Sequence, residues 1–322
     1  MNTKRKTECE MLTPAGIKRR VGVSHFLMCF FFLLMVGACG GKSEEQARLE
    51  AQQADSAALK IAVLPTLDCL PLFVAQQLGM DEAFGLDLRL VPFTAQMDQD
   101  TALLRGRVEG MFTDIVRARR MESIAHKPLY VSCETSLYWQ LLSAKTARIK
   151  QMKQLDDKMV AMTRHSATDS LTQLMIDSAK LQSTRVYRIQ VNDVSVRYDM
   201  LTSGNIDAAW LPQPWAAMAR KKGAVTLIPE AGRHSGVLVF ADSVMADTMR
   251  RRQVLLLERV YKQAVDTING RGLDSFSELL ATYCHVDPKH VSNLSGTAPI
   301  DQVRRPVATQ ERNQNTKQDR RR

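Results

Sequence analysis

The stretch from Leu59 to Val91, LKIAVLPTLDCLPLFVAQQLGMDEAFGLDLRLV, decides the fold. Leu59 to Leu64 alternates and then runs apolar, which predicts a buried strand that Pro65 ends. Residues 70–84 place apolar side chains three and four apart, so a helix follows, interrupted near Gly79. Leu86 to Val91 is a second strand. Strand, helix and strand at this spacing make a parallel crossover.

The pattern continues outward. A helix over 97–105 closes on Gly106, and strands follow at Val108 to Ile115 and Leu129 to Cys133. It then restarts with a strand at Met159 to Met162, a helix at Ser166 to Leu181 and a strand at Val186 to Val191. A helix over 194–203, Gly204 and a strand at Ile206 to Leu211 complete this half. Gly236 to Phe240 is a strand, 246–270 a long helix, and Leu273 to Ala281 and Pro288 to Leu294 are shorter helices. The fold class is therefore α/β, with mostly parallel sheets covered on both faces. One internal echo supports two similar halves: Leu103-Leu-Arg-Gly106-Arg-Val108-Glu109-Gly110 against Leu201-Thr-Ser-Gly204-Asn-Ile206-Asp207-Ala208.

The chain has 322 residues and a formal net charge of +10. Residues 1–38 hold six basic and two acidic residues, and 301–322 hold seven and three. The intervening body is left with 31 basic and 29 acidic residues, too balanced for a nucleic-acid-binding stripe. A hydrophobic content of 45% excludes global disorder.

Residues 1–38 read as a signal peptide: Lys18-Arg19-Arg20, an apolar run from Phe26 to Val36, then Gly37-Ala38. The run is too short for a spanning helix, which needs about 20 residues. Residues 39–57 read as a polar linker, and 301–322 as a disordered basic tail. Cys69, Cys133 and Cys284 have no framework spacing and read as buried small hydrophobes, with one disulfide plus a free thiol as the alternative.

Val36-Gly37-Ala38-Cys39 resembles a bacterial lipoprotein box, which implies a lipid on Cys39 and a place in the cell envelope, periplasmic or on the outer-membrane surface. Leu59–Pro65, the Leu70–Gly79 helix with Ala75, Phe84-Gly85-Leu86-Asp87, Ala102-Leu103 with Gly106, and Thr113-Asp114 come in order. Leu201, Gly204, Ile206-Asp207-Ala208-Ala209 and Leu211-Pro212-Gln213-Pro214-Trp215 follow. Together they resemble the type-2 periplasmic solute-binding proteins of ABC importers, in particular the subset for nitrate, alkanesulfonates, taurine and thiamine pyrimidine precursors. That resemblance implies two α/β lobes joined by two crossover strands, with a ligand cleft at the hinge. Lobe 1 would be 58–138 with 236–300, and lobe 2 would be 139–235. It also implies a monomer that captures a small solute, serves an ABC permease and performs no chemistry.

Ligands of open α/β sheets sit at the carboxyl ends of the strands. Those ends offer Thr66 and Asp68, then Phe93 and Thr94, then Thr113 and Asp114. Thr66, Asp68 and Asp114 either contact the ligand or cap the next helix. In the second half, Ser166 and Thr168 open a helix that either receives an anionic or polar group, with Arg164 adding charge, or is simply capped by Ser166. Gln213 and Trp215 follow another strand end, where Trp215 either stacks on a planar ring or packs in a core. Tyr138 and Trp139 would form the other wall.

No Gly-rich phosphate loop, GxSxG elbow or HExxH motif occurs, so no cofactor is expected. Cys284-His285 with His290 lacks a second ligand pair, so no metal is expected either. Two rivals remain at this level: an enzyme of the menaquinone-pathway kind on the same fold, and a surface lipoprotein binding host material.

Overall fold

The computed structural model describes residues 44–232, 235–287 and Leu294. The expected signal segment, Cys39, residues 288–293 and the tail over 301–322 lie outside the described residues. Helix α1, Glu44–Ala57, stands where a linker was expected. Its Glu, Gln, Ala, Arg and Leu residues all have high helix propensity, which the polar composition masked.

From Ala57 onward the strands are β1 Leu59–Val63, β2 Leu88–Pro92, β3 Gly110–Asp114, β4 Leu129–Glu134 and β5 Trp139–Ser143. They continue as β6 Lys158–Met162, β7 Val186–Gln190, β8 Ala208–Pro212, β9 Val225–Ala231 and β10 Gly236–Ala241. The helices between them are α2 Leu70–Gln77, α3 Met80–Ala83, α4 Gln96–Leu104, α5 Ile115–Ala125, α6 Ala167–Ala179, α7 Val194–Ser203 and α8 Trp215–Lys221. After β10 come α9 Asp242–Ala246, α10 Thr248–Arg271 and α11 Ser277–Cys284.

Two five-stranded sheets result, ordered β2-β1-β3-β10-β4 and β7-β6-β8-β5-β9. In the first, β1 pairs parallel with β2 and β3, while β10 runs antiparallel to β3 and β4. In the second, β6 pairs parallel with β7 and β8, and β5 runs antiparallel to β8 and β9. Four strands of each sheet therefore point one way, but the sheets are mixed. The reversed strand in each is a crossover: β5 leaves the first half for the second, and β10 returns.

The internal echo is structural. Gly106 and Gly204 both adopt left-handed backbone, φ 66° and 80°, and turn the chain from α4 into β3 and from α7 into β8. Glu109 Oε2 then accepts from the Lys60 amide at 2.8 Å, and Asp207 Oδ2 accepts from the Met159 amide at 2.9 Å. The carbonyls of the same two residues receive the Ala241 and Ala144 amides at the ends of the crossover strands. Each acid thus pins the start of its sheet, which explains why an acidic residue follows the apolar one in both halves.

Side chains alternate across each sheet. Leu59, Ile61, Val63, Phe112, Leu238 and Phe240 face α2, α10 and α11, whereas Ala62, Met111, Val237 and Val239 face α4 and α5. In the second lobe Leu141, Val160, Met162 and Trp210 face α6, and Leu142, Ala161, Ala209 and Leu211 face α7 and α8. Both faces are covered, so the strands read as near-continuous apolar runs. Each fully buried Leu or Phe contributes roughly 1.5–3 kcal/mol.

Besides α1, helix α9 was not expected, nor were β5, β9, α5 and α8. Strand β5 carries Gln140 and Ser143 among its apolar residues, and edge strand β9 carries Pro229 and Glu230, so neither shows a clean period. Helix α5, IVRARRMESIA, buries only Ala118, Met121 and Arg117, a seam too thin to stand out. Helix α8 begins at Trp215 directly after the strand-end motif.

Candidate functional site

The carboxyl ends of the two sheets meet, and backbone bonds join them. The Leu67 amide, after β1, donates to the Gln213 carbonyl, after β8, at 3.0 Å. The Val194 amide, after β7, donates to the Thr94 carbonyl, after β2, at 3.4 Å, beside an isolated bridge from Ala95 to Asp193. The Trp215 indole Nε1 donates to the Pro65 carbonyl at 2.8 Å. The lobes are closed on one another along these loops.

Asp114 ends β3 and joins helices of both lobes. Its Oδ1 accepts the Arg117 amide of its own helix α5 at 3.0 Å and the Ala167 amide opening α6 at 3.0 Å. Its Oδ2 accepts from Gln96 Nε2 at 3.2 Å. Complete burial pushes its pKa up to about 6, against the pull of these donors. One carboxylate thus caps two helices across the lobe boundary.

Asp68, in the loop after β1, is also buried but poorly satisfied. Its Oδ2 accepts from Thr135 Oγ1 at 2.9 Å, and its Oδ1 has no partner. Burial raises its pKa, opposed by the nearby Thr66 and Thr135 hydroxyls. At strand ends and loops of the same boundary the Trp139 indole Nε1, Gln213 Nε2, Thr113 Oγ1 and Ser235 Oγ are also buried without a partner. The register sets two pairs at neighbouring positions: Trp139 pairs with Pro212, next to Gln213, and Gly236, next to Ser235, pairs with Asp114 beside Thr113. A Cβ on Gly232 would lie 3.1 Å from Ser235 Oγ and 3.5 Å from the Trp139 ring. Unpartnered buried polar atoms are rare in folded proteins, and a cluster of them marks a place where something else completes the bonding.

Ser166 and Thr168 are bonded among themselves. Ser166 Oγ accepts the Thr168 amide at 3.1 Å and donates to the Thr163 carbonyl at 2.7 Å, while Thr168 Oγ1 accepts the Thr163 amide at 2.9 Å. Arg164 is exposed, and its carbonyl accepts from Arg117. Trp215 is 3% exposed, belongs to a hydrophobic core and packs against Tyr198 and His285. Phe93 is half-buried against the α4 and α5 side of the first sheet, and Thr94 is exposed at the loop.

Several residues at this boundary were not singled out in the sequence. Arg117 pairs with Asp100, and Gln96, Gln99 and Thr135 are buried beside the strand ends. Arg117 lies three residues after Asp114, the N3 position of a helix capped by that Asp, and this spacing was the available signal. Arg197 donates to the Trp210 carbonyl at 2.8 Å and to the Val191 carbonyl and Thr163 hydroxyl at 2.6 Å. Burial lowers its pKa to about 10.

Cys69, Cys133 and Cys284 are free and buried. Burial raises the Cys69 pKa strongly and lifts Cys133 and Cys284 to about 12, so these thiols stay protonated and unreactive at neutral pH. Among the described residues no group of three His, Cys, Asp or Glu is placed to hold a metal ion, and no helix is long and apolar enough to cross a membrane.

The sequence profile of the NMT1-like family matches residues 52–231. Among solved structures, the alkanesulfonate-binding protein of Xanthomonas axonopodis pv. citri bound to MOPS superposes with a TM-score of 0.67 at 16% identity, covering 82% of this chain and 91% of that one. The periplasmic aliphatic sulphonate-binding protein of Escherichia coli gives 0.63 at 17%, covering 82% and 92%. The periplasmic nitrate-binding protein of Synechocystis PCC 6803 gives 0.64 at 11%, covering 76% and 73%. No curated protein matches this chain significantly.

Proposed function

The chain belongs to the NMT1-like family, and from that premise we propose that it is a solute receptor of an ABC importer. The observation that carries this reading is the cluster of unpartnered polar atoms from Asp68, Thr113, Trp139, Gln213 and Ser235, buried where the two lobes close. A receptor needs such a set, because hinge closure must bury polar groups that the solute then satisfies. Residues 58–138 with 236–300 would move as one body and 139–235 as the other. Thr66, Asp68, Thr113, Trp139 and Gln213 would contact the solute, Phe93 and Thr94 would flank the opening, and Asp114, Ser166, Thr168 and Trp215 would build the walls behind it. The ligand is a small polar or heterocyclic molecule, and the protein performs no reaction on it.

The location follows from the same reading. Similar folds include periplasmic proteins, and a lipid on Cys39 would hold the receptor at the envelope close to its permease. Tethering of this kind raises effective concentration without any new contact.

Native mass spectrometry of the full chain, followed by melting curves with added solutes, tests the proposal. A co-purified small molecule, or a selective rise in melting temperature, supports a receptor. A ligand at about a thousandfold its Kd adds roughly 4 kcal/mol, a shift of several degrees. No bound molecule and no shift with any small-molecule fraction would remove it.

A further inference from the structure

Among the described residues, the charges buried where the lobes meet do not balance. Arg117 pairs with Asp100 through its Nη2, although its Nε has no partner, and Arg197 lies near Asp193. Asp114 and Asp68 remain, both carboxylates and both buried. Asp114 is satisfied by three donors. Asp68 receives the Thr135 hydroxyl on Oδ2 and has the Thr66 hydroxyl near, its Oδ1 has no hydrogen-bond partner, and among the described residues no guanidinium or ammonium acts on it.

The place an anion would choose is taken. The amide opening α6 is bonded to Asp114 Oδ1 at 3.0 Å, and the Ser166 and Thr168 hydroxyls are turned onto their own loop. A sulfonate or nitrate entering there would displace a carboxylate of the protein and sit beside it. A buried carboxylate with an open lone pair asks for a donor, best one bearing positive charge. The indole N–H of Trp139 and the amide N–H of Gln213 ask for an acceptor on the same molecule.

We propose that the solute carries a positively charged N–H group, as in an amine, an amidine or a protonated aminoheterocycle, which Asp68 receives, together with an acceptor for Trp139 and Gln213, and that the site does not take simple anions. This rests on the receptor reading and narrows it.

The test uses the full-length protein and a bacterial small-molecule extract. The extract is split into fractions held by a cation exchanger, held by an anion exchanger, and passed by both. Melting curves and equilibrium dialysis are run with each fraction, on wild type, Asp68→Asn and Trp139→Phe. Asn keeps the shape of Asp68 and mimics its protonated form, and Phe keeps a ring while deleting the N–H. Ligand-free melting curves check that both variants fold.

The expected result is stabilisation by the cation-exchanger fraction. Asp68→Asn should weaken it about tenfold to a hundredfold, the range of one charge-assisted hydrogen bond. Trp139→Phe should weaken it about tenfold or less. Stabilisation by the anionic or neutral fraction, or by added ethanesulfonate or nitrate, would overturn the proposal while leaving a receptor in place. Unchanged affinity in Asp68→Asn would overturn it too. Stabilisation by no fraction would remove the receptor reading itself.

Discussion

The loops after β1 and β6 occupy equivalent positions in two sheets with the same strand order, yet they treat their polar groups in opposite ways. The loop after β6 closes on itself: Thr163, Ser166 and Thr168 share their hydroxyls and amides, and Asp114 takes the remaining amide of Ala167. The loop after β1 leaves Asp68 Oδ1 without a hydrogen-bond partner, and Trp139 Nε1, Gln213 Nε2, Thr113 Oγ1 and Ser235 Oγ at the same boundary are in the same condition. Helix α2 has no side-chain cap at all, because its N-cap position is Cys69 and its first turn holds Pro71. Asp68 sits one residue too early to cap that helix, so its carboxylate remains available. A polar group that does not serve the fold, yet is buried at a strand end, belongs to whatever the strand end receives.

Removing Asp114 is the largest expected blow to this contrast. In Asp114→Ala three donors lose their acceptor, at roughly 1–3 kcal/mol each, while removal of the buried charge returns about 3 kcal/mol. Urea unfolding at neutral pH should show a net loss of about 3 kcal/mol. An unchanged midpoint would mean that Asp114 does not join the lobes. The same carboxylate gives a pH signature. Its folded pKa is raised to about 6 from 3.8, so the folded state holds a proton that the unfolded state has already released. Stability from this group is complete below about pH 4 and is lost as pH rises through about 6, by about 3 kcal/mol in all. The gap between wild type and Asp114→Asn, followed by unfolding from pH 4 to 7, should therefore move against wild type as pH rises. A flat gap would show that the donors cancel the cost of burial.

The two halves were legible in the sequence to unequal depth. β1, β6 and β8 announce themselves as apolar runs, and Gly106 and Gly204 mark the same turn twice because each adopts a left-handed backbone. Crossover strand β5 stayed hidden because Trp139-Gln140-Leu141-Leu142-Ser143 shows no period, and it is a strand only because β8 and β9 flank it. The candidate site was legible as a set of strand-end positions, but which of their polar groups serve the fold was not. Whether Thr66, Asp68, Thr113 or Asp114 caps a helix or stays free depends on long-range neighbours: Thr135 for Asp68, and Gln96 and Ala167 for Asp114. Trp215 reads equally well as a ring wall and as a core residue until Pro65 is seen to hold its indole N–H.

The echo itself can be strained at one position. Gly110 in β3 corresponds to Ala208 in β8. A Cβ at Gly110 would lie 2.6 Å from the Phe240 ring and 2.9 Å from the Val239 carbonyl oxygen. Ala208 faces Ser143 and has room. Gly110→Ala should therefore cost about 3 kcal/mol by overpacking, against about 1.5 kcal/mol for Ala208→Gly, which loosens the chain and deletes one buried methyl. Thermal unfolding of both variants decides it, and equal losses would mean that the first sheet shifts to admit the methyl.

Ser166→Ala sharpens the comparison with the smallest effect. It deletes the acceptor of the Thr168 amide at 3.1 Å, an ordinary helix cap. The Ala167 amide keeps Asp114, and the Thr163 amide keeps Thr168 Oγ1. The loop also loses the bond from Ser166 Oγ to the Thr163 carbonyl and its contact with Thr168 Oγ1, and the cost should be about 1–2 kcal/mol, a few degrees of melting temperature at this chain length. Solute affinity should stay within about threefold of wild type, since a hydroxyl already spent on its own loop has none left to offer. A tenfold loss of affinity in Ser166→Ala would show that this loop opens to bind the solute, and the division of labour between the two loops would then have to be redrawn.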